Sequence, residues 1–209
     1  MKHIKTKKPQ QATLDELNEV KMKLILASKS PRRKEILSMV TKDFEVRVSD
    51  ADESYDKGMD LYKIPELLAL KKAEAVKAEK DEIIIGCDTV VIYGNELLGK
   101  PKDKEDAKRM LRLLSHTTHY VVSGLAIKYG EKTYVTGETT RVVMRELDEG
   151  EIESYVEKFN PTDKAGAYGI QEMAGAFVSK IDGDFYNVVG LPLCKLVDAL
   201  KKEFGLNLI

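Results

Sequence analysis

The amino-acid sequence predicts a single α/β domain built on a long mixed β-sheet that is flanked by helices. Three observations support this prediction. Strand and helix signals alternate along most of the chain, which is typical of α/β folds. Residues 83–92 form a nearly continuous apolar run, as expected for a central strand that is covered on both faces. Two further β-rich segments, 119–129 and 133–145, follow each other with a single short turn between them.

Composition limits the function classes. The 209 residues suit one domain, and 43% hydrophobic residues are enough to form a core. The formal charge of −1 argues against a broadly basic surface for nucleic acids. Cys87 and Cys194 are too few for a disulfide scaffold and form no zinc motif. Because no apolar run reaches the length of a membrane span, we expect a soluble, cytoplasmic protein with no nucleic-acid or membrane partner.

Local signals define the first elements. Residues 1–21 begin with a polar, basic stretch, so we treat them as an N-terminal extension of a domain at 22–209. The apolar residues 23–27 predict a buried strand, and Ser30 before Pro31 predicts the start of a helix. The other elements predicted in this half are the rest of that helix to about residue 39, a strand at 44–48, a polar loop at 49–60 and a helix from about 61 to 79.

Capping patterns define the second half of the chain. Asp103 precedes a helix with one apolar face, and Asp148 with Glu151 forms a capping-box pattern that opens another helix. A glycine-rich stretch follows at 163–190. Pro192 is predicted to occupy the first position of the last helix, where its missing N–H costs nothing.

Two consecutive arginines form the first candidate site. Arg32 and Arg33 fall in the first turn of the predicted helix, where positive charge opposes the helix dipole. They are tolerated most easily if an anion lies between them and the free N–H groups of the helix start. The alternative is that both side chains extend into solvent. The pattern therefore favours, without requiring, an anion site.

A carboxylate inside an apolar strand forms the second candidate. Asp88 lies in the run 83–92, where an ionised group is costly unless it is paired or bound to a metal. In a regular strand Thr89 points to the opposite face. The alternative is a strand end at which Asp88 simply emerges into solvent. Strand ends in α/β sheets are also where ligand sites form, so we favour a catalytic or metal-linked role.

One apparent phosphate-binding motif is misleading. The segment Gly94–Pro101 matches the start of a P-loop, but Pro101 stands where that motif needs Ser or Thr for magnesium. Proline also disfavours a helix at this point. The apolar pair Leu97-Leu98 after an Asn-containing turn instead predicts a hairpin strand. Lys100 can still reach a phosphate as a point charge, and a solvated lysine is the alternative.

Two weaker signals complete the set. Lys71 and Lys72 both fall on the apolar arc of the helix predicted at 61–79, and spacing cannot choose between them. The segment Asp163–Gln171 contains two glycines, which would allow a backbone to approach a ligand closely. An ordinary tight loop is the alternative for that segment.

Together, these motifs resemble the Maf family of nucleoside triphosphate pyrophosphatases, also called septum formation proteins. The resemblance covers residues from about 22 to 205, and several separate motifs occur in the family's order. It implies an α/β fold with a deep cleft between two lobes, related to inosine triphosphate pyrophosphatases. The motifs that carry it are Ser28–Leu37, Gly86–Val91, Gly99–Pro101, Asp163–Gln171 and Asn187–Pro192.

The resemblance implies hydrolysis of a nucleoside triphosphate to the monophosphate and pyrophosphate with Mg²⁺ or Mn²⁺. Asp88 matches the proton acceptor, and Arg32, Thr89 and Gln171 match positions linked to base specificity. This combination resembles the branch that acts on dTTP and UTP rather than on 7-methyl-GTP. The other cleft positions are matched by Ser28, Arg33, Glu53, Lys72 and Lys100. Glu53 and Asp88 are the carboxylates expected to hold the metal, and Asp88 is either a base or a metal ligand.

Two other functions remain open at this point. The family's older name links it to septum formation, so the chain could act as a nucleotide-binding regulator of cell division. It could also be a pyrophosphatase with a broad preference for non-standard bases, whereas the dTTP and UTP branch would also act on modified pyrimidine triphosphates. The predicted partner is a nucleoside triphosphate, and a homodimer is one possibility.

Overall fold

A computed structural model of the protein describes residues 22–48 and 50–209. The predicted extension, residues 1–21, lies outside the described residues. The described strands are β1 Lys23–Ala27, β2 Phe44–Val46, β3 Glu82–Tyr93, β4 Glu96–Leu98, β5 Thr118–Tyr129, β6 Lys132–Met144 and β7 Val178–Asp182. The described helices are α1 Pro31–Leu37, α2 Ile64–Glu74, α3 Lys104–Leu114, α4 Glu149–Phe159, α5 Phe185–Val189 and α6 Leu193–Phe204, with 3₁₀ turns at Pro161–Asp163, Ala165–Ala167 and Met173–Phe177.

The strands of this described region form one mixed sheet in the order β2-β1-β3-β5-β6-β7, with β4 also paired to β3. β1 runs parallel to β2 and β3, whereas β3, β5, β6 and β7 pair antiparallel. The predicted α/β class with a mixed sheet is therefore confirmed. No helix of this region is long and apolar enough to cross a lipid bilayer.

Several predicted elements need correction. The helix expected at 61–79 runs only over Ile64–Glu74. It ends early because the buried Glu82 carboxylate accepts the N–H of Glu79 and binds Arg47, which turns the chain towards β3. Pro192 is the N-cap of α6 rather than its first residue. The glycine-rich stretch also contains β7 and α5, which the sequence did not reveal because β7 is a half-exposed edge strand without apolar alternation.

Two glycines bring α2 directly onto the sheet. A Cβ at Gly86 of β3 would overlap the carbonyl oxygen of Ala69, and a Cβ at Gly124 of β5 would overlap that of Pro65. Since any larger side chain would push the helix outwards, these positions fix the distance between α2 and the strands. The polar residues on the last turns of α2 are thereby held against β3.

The edge of β3 is open in the middle of the sheet. β1 pairs with β3 only as far as Gly86, and β4 pairs with the same edge only from Val91. Residues 87–90 therefore have no neighbouring strand on this side among the described pairings. On one face, this gap separates two apolar clusters, one around Ile85 with α1 and α6 and one around Val91 with α3 and α4.

A buried histidine and a buried tyrosine are joined by a hydrogen bond. His119 of β5 is fully buried, and its Nε2 shares a 2.7 Å hydrogen bond with the hydroxyl of Tyr168. Burial lowers the pKa of His119 to about 4 from its usual 6.5, so the imidazole is neutral near pH 7. The bond ties the turn-rich segment after α4 to the sheet.

This pair predicts a pH-dependent stability. Between pH 6.5 and 4 the unfolded chain binds a proton at His119 that the folded chain does not, so stability falls as the pH falls. We expect a loss of about 2 kcal/mol between pH 7 and pH 5 from this group. Urea unfolding of the protein and of His119→Gln at both pH values measures it. A variant with the same pH dependence as the unchanged protein would contradict the assignment.

Candidate active site

A cavity of about 680 Å³ opens at the carboxyl end of β1, beside the unpaired edge of β3. Residues from β1, α1, α2, β3 and the segments around 100, 163–171 and 188–190 line it. The structure thus brings all of the sequence-predicted site residues to one place, although they are spread over more than 140 positions of the chain. These residues are Ser28, Arg32, Arg33, Glu53, Lys72, Asp88, Thr89, Lys100 and Gln171.

The Asp88 carboxylate is paired with a lysine. Its side chain is only 13% exposed and accepts a hydrogen bond from Lys72 Nζ, which also lies 3.0 Å from Glu53 Oε1. The hydrogen bond from Lys72 holds the pKa of Glu53 below its usual value. Lys71 instead contacts Asp52 and the carbonyl oxygen of Ser54. The structure therefore selects Lys72 as the cleft lysine, a choice that spacing left open.

Arg33 lines the cavity, and its hydrogen-bond partners among residues 22–48 and 50–209 are all neutral. Its guanidinium donates to the carbonyl of Gly190 at 2.8 Å and to the hydroxyls of Ser28 and Thr89 at 3.2 Å each. Ser30 caps α1 as predicted, accepting the N–H of Arg33. Because none of these partners carries a negative charge, the arginine is oriented but its charge is left for an anion.

Arg32 takes a different partner. Its side chain is 18% exposed and pairs with Asp163 at 2.7 Å. The alternative in which both arginines extend into solvent is therefore wrong. Arg32 and Arg33 contact different residues of the cavity. Gln171 is an exposed residue of the same segment as Asp163 and lines the cavity.

Thr89 points away from Asp88, as the strand alternation predicts. Its hydroxyl shares a 2.8 Å hydrogen bond with Ser123 and donates to the carbonyl of Gly190 at 3.2 Å. Both faces of β3 reach one cavity because the strand edge is open between them. The sequence analysis did not identify Ser123 or Gly190 as site residues. The contact of Thr89 with Ser123 becomes visible only from the β3–β5 register, which places the two residues opposite each other.

The segment Gly94–Pro101 is a hairpin and not a P-loop. Gly94 has a φ of +57° in the turn between β3 and β4, and α3 begins only at Lys104. The predicted hairpin strand is confirmed as β4. Lys100 is exposed and lines the cavity, and its charge contributes to the low pKa of Glu53 after the larger effect of Lys72.

The carboxylates Glu53 and Asp88 fit a divalent cation. Both reach one cationic atom, the ammonium of Lys72, so their oxygens converge on a common point. Oxygen ligands of this kind suit Mg²⁺, which often takes one or two protein carboxylates and completes its shell with water and substrate phosphates. The described residues contain no cluster of three or more potential metal ligands, so such an ion would depend on the substrate for further ligands.

Solved structures show only distant similarity. The Ham1 protein of Staphylococcus aureus aligns with a TM-score of 0.42 and 18% identity, over 58% of this chain and 71% of its own. Structural similarity at this level does not support a conclusion about the function of the present chain.

Sequence relatives are much closer. A protein of Alkaliphilus metalliredigens named dTTP/UTP pyrophosphatase is 48% identical over 191 residues, covering 90% of this chain and 99% of its own. A Bacillus cereus protein of the same name is 48% identical over 181 residues, covering 86% and 95%. The model of the family described as Maf-like protein matches residues 23–203. Since this match spans most of the chain and includes every residue of the cavity named above, the chain belongs to the Maf-like protein family.

Proposed function

We propose that the protein hydrolyses dTTP and UTP to the monophosphate and pyrophosphate. The observation that carries the proposal is the arrangement at Asp88, a carboxylate held in an apolar strand beside Lys72, Glu53 and an arginine without a carboxylate partner. Relatives at 48% identity bear the name dTTP/UTP pyrophosphatase. The arrangement suits a polyanionic substrate whose cleavage requires both positive charge and a group that takes a proton.

Within this proposal, each side chain has a definite task. Arg33 and Lys100 bind phosphate oxygens and stabilise the negative charge that develops on the leaving pyrophosphate. Asp88 either accepts the proton of the attacking water or, as a ligand of a divalent cation, would help to lower the pKa of that water. Lys72 pairs with the Asp88 carboxylate in its apolar surroundings. The hydroxyl of Ser28 accepts a hydrogen bond from the guanidinium of Arg33 and so holds that guanidinium in place.

A divalent cation fits the same proposal. Glu53 and Asp88 would hold Mg²⁺ or Mn²⁺ together with the substrate phosphates. When bound, the ion would neutralise phosphate charge and lower the pKa of a water molecule. We further propose that the reaction takes place in the cytoplasm, where free cysteines such as Cys87 and Cys194 persist. A homodimer and the absence of nucleic-acid partners stay predictions.

Release of pyrophosphate from a panel of triphosphates, measured side by side with Mg²⁺ and with Mn²⁺, tests the proposal. We expect the fastest cleavage with dTTP and UTP. Fastest cleavage of 7-methyl-GTP or inosine triphosphate would refute the pyrimidine preference and leave a pyrophosphatase. Nucleotide binding without any turnover would favour a regulator instead.

Asp88→Asn tests the catalytic carboxylate. The substitution keeps the shape of the side chain and removes its charge, so we expect kcat to fall by ~10²-fold or more. Steady-state kinetics with UTP measure the loss. Asp182→Asn, at an exposed carboxylate on the edge strand β7, is the matched control and should keep its activity. Near-normal turnover of a folded Asp88→Asn protein would end the assignment.

Lys100→Ala tests phosphate binding by an exposed cation. We expect KM for UTP to rise by about 10-fold, which corresponds to the lower end of the free energies found for a hydrogen bond to a charged group. Because Lys100 is exposed, the free energy of unfolding should stay within about 0.5 kcal/mol. Lys102→Ala removes a neighbouring lysine that does not line the cavity and should leave KM unchanged. Equal increases in KM for the two variants would show that positive charge in this region, rather than a contact from Lys100 to phosphate, determines KM.

Gln171→Ala tests base choice. A side-chain amide that pairs with a base edge rejects bases that leave it unpaired, at a cost of ~1–3 kcal/mol. We therefore expect the substitution to lower the ratio of kcat/KM for UTP to that for CTP by roughly 5-fold or more. Competition assays with paired nucleotides measure the ratio. Met173→Ala, two residues further along and outside the cavity lining, serves as control. An unchanged ratio in Gln171→Ala would exclude the amide from base recognition.

A further inference from the structure

Asp163 joins the start of α1 to the segment that carries Gln171. Arg32 Nη1 donates to Asp163 Oδ2 at 2.7 Å, and Arg32 Nη2 donates to the carbonyl oxygen of the same residue at 3.2 Å. The second carboxylate oxygen accepts a 2.8 Å hydrogen bond from Lys164. Two contacts from one guanidinium to one residue fix the plane of the arginine as well as its position.

The pairing is partly shielded from water. The side chain of Arg32 is 18% exposed and that of Lys164 is 9% exposed, whereas the Asp163 carboxylate between them is 55% exposed. Burial raises the pKa of Asp163, but the hydrogen bonds from Lys164 and Arg32 outweigh it, and the pKa lies below its usual value. An ion pair in such surroundings holds its geometry better than one in open solvent.

The segment after Asp163 is held at several further points. Gly166 has a φ of +67°, and a Cβ there would lie 2.8 Å from a methyl group of Val91. Tyr168 is fixed to His119 through its hydroxyl. Lys164 also contacts Glu172 at 3.3 Å, directly after Gln171. The backbone on both sides of Gln171 is therefore anchored.

We propose that Asp163 is a positioning residue for base selection, because it holds Arg32 in a fixed orientation in the cavity that Gln171 also lines. This inference rests on the proposed pyrimidine pyrophosphatase function. Uracil and thymine present a carbonyl oxygen where cytosine presents an amino group. A guanidinium offers only hydrogen-bond donors, so an arginine in a fixed place donates to the carbonyl oxygen of uracil or thymine and finds no acceptor in the amino group of cytosine. An arginine that moves freely would lose this discrimination.

Arg32 keeps donors for such a base. Two of its five N–H groups are used by Asp163, and it makes no other hydrogen bond to the described residues. Asp163 does not need to contact the nucleotide for this role. Its effect passes through Arg32, which predicts that the contributions of the two residues are not additive.

The test is a double-mutant cycle on base preference. We expect Asp163→Ala to lower the ratio of kcat/KM for UTP to that for CTP by about 5-fold or more, through KM, while kcat changes by less than about 3-fold. In an Arg32→Ala background, Asp163→Ala should cause no further change. Asp163→Asn, which keeps the shape of the side chain and one acceptor oxygen, should recover part of the ratio. Asp182→Ala removes an exposed partner of Arg141 and is the matched control.

Equilibrium binding separates this inference from the proposed function. The Kd values of UTP and CTP, measured for the same variants without divalent metal, report base selection in the absence of turnover. A protein that selects UTP through Asp163 but releases no pyrophosphate would refute the proposed function and keep the inference. Turnover with an unchanged UTP-to-CTP ratio in folded Asp163→Ala would overturn the inference alone. Full additivity with Arg32→Ala would also overturn it, because it would show two independent effects.

Discussion

The pairing of Lys72 with Asp88 is the interaction on which the site depends. A carboxylate in an apolar strand loses most of its hydration and must be compensated by an opposite charge. That charge comes from α2, which can approach closely enough only because Gly86 and Gly124 leave room for its backbone. The need to compensate the charge of Asp88 therefore links β3, α2 and the two glycines. The same ammonium also contacts Glu53, in a loop that Lys71 contacts at Asp52 and Ser54.

The open edge of β3 explains why this charge is accessible to a ligand. In a continuous sheet, residues 87–90 would be covered on both sides by neighbouring strands. β1 ends opposite Gly86, and the chain then turns into α1, whose first residues reach back over the gap. Asp88 and Thr89 consequently border the same cavity although they point to opposite faces. The cavity is a consequence of strand length, since β1 is shorter than β3 by seven residues.

The sequence predicted the sheet class and most element types because apolar runs and capping patterns are local signals. It also identified Asp88, since the cost of a charge in an apolar strand needs no knowledge of the fold. Helical spacing could not choose between Lys71 and Lys72, because a helical wheel gives the direction of a side chain but not what lies opposite, and only the family resemblance indicated Lys72. The sequence assigned no role to Asp163 for a similar reason. The partner of that residue is 131 positions away in the chain, and only the fold brings the two together.

The distribution of charge along the cavity also determines how a nucleotide would lie in it. Near Asp163, Arg32 and Lys164 both face carboxylates, so this end is electrically compensated. Near β1, Arg33 has only neutral partners, and no ion pair of Lys100 occurs among the described residues. An uncharged base gains little from a cation, whereas a triphosphate gains much. Under the proposed function, this distribution of charge favours phosphates beside Arg33 and the base beside Asp163. In this orientation the carboxylates of Glu53 and Asp88 also lie at the phosphate end, where Lys72 offsets their charge.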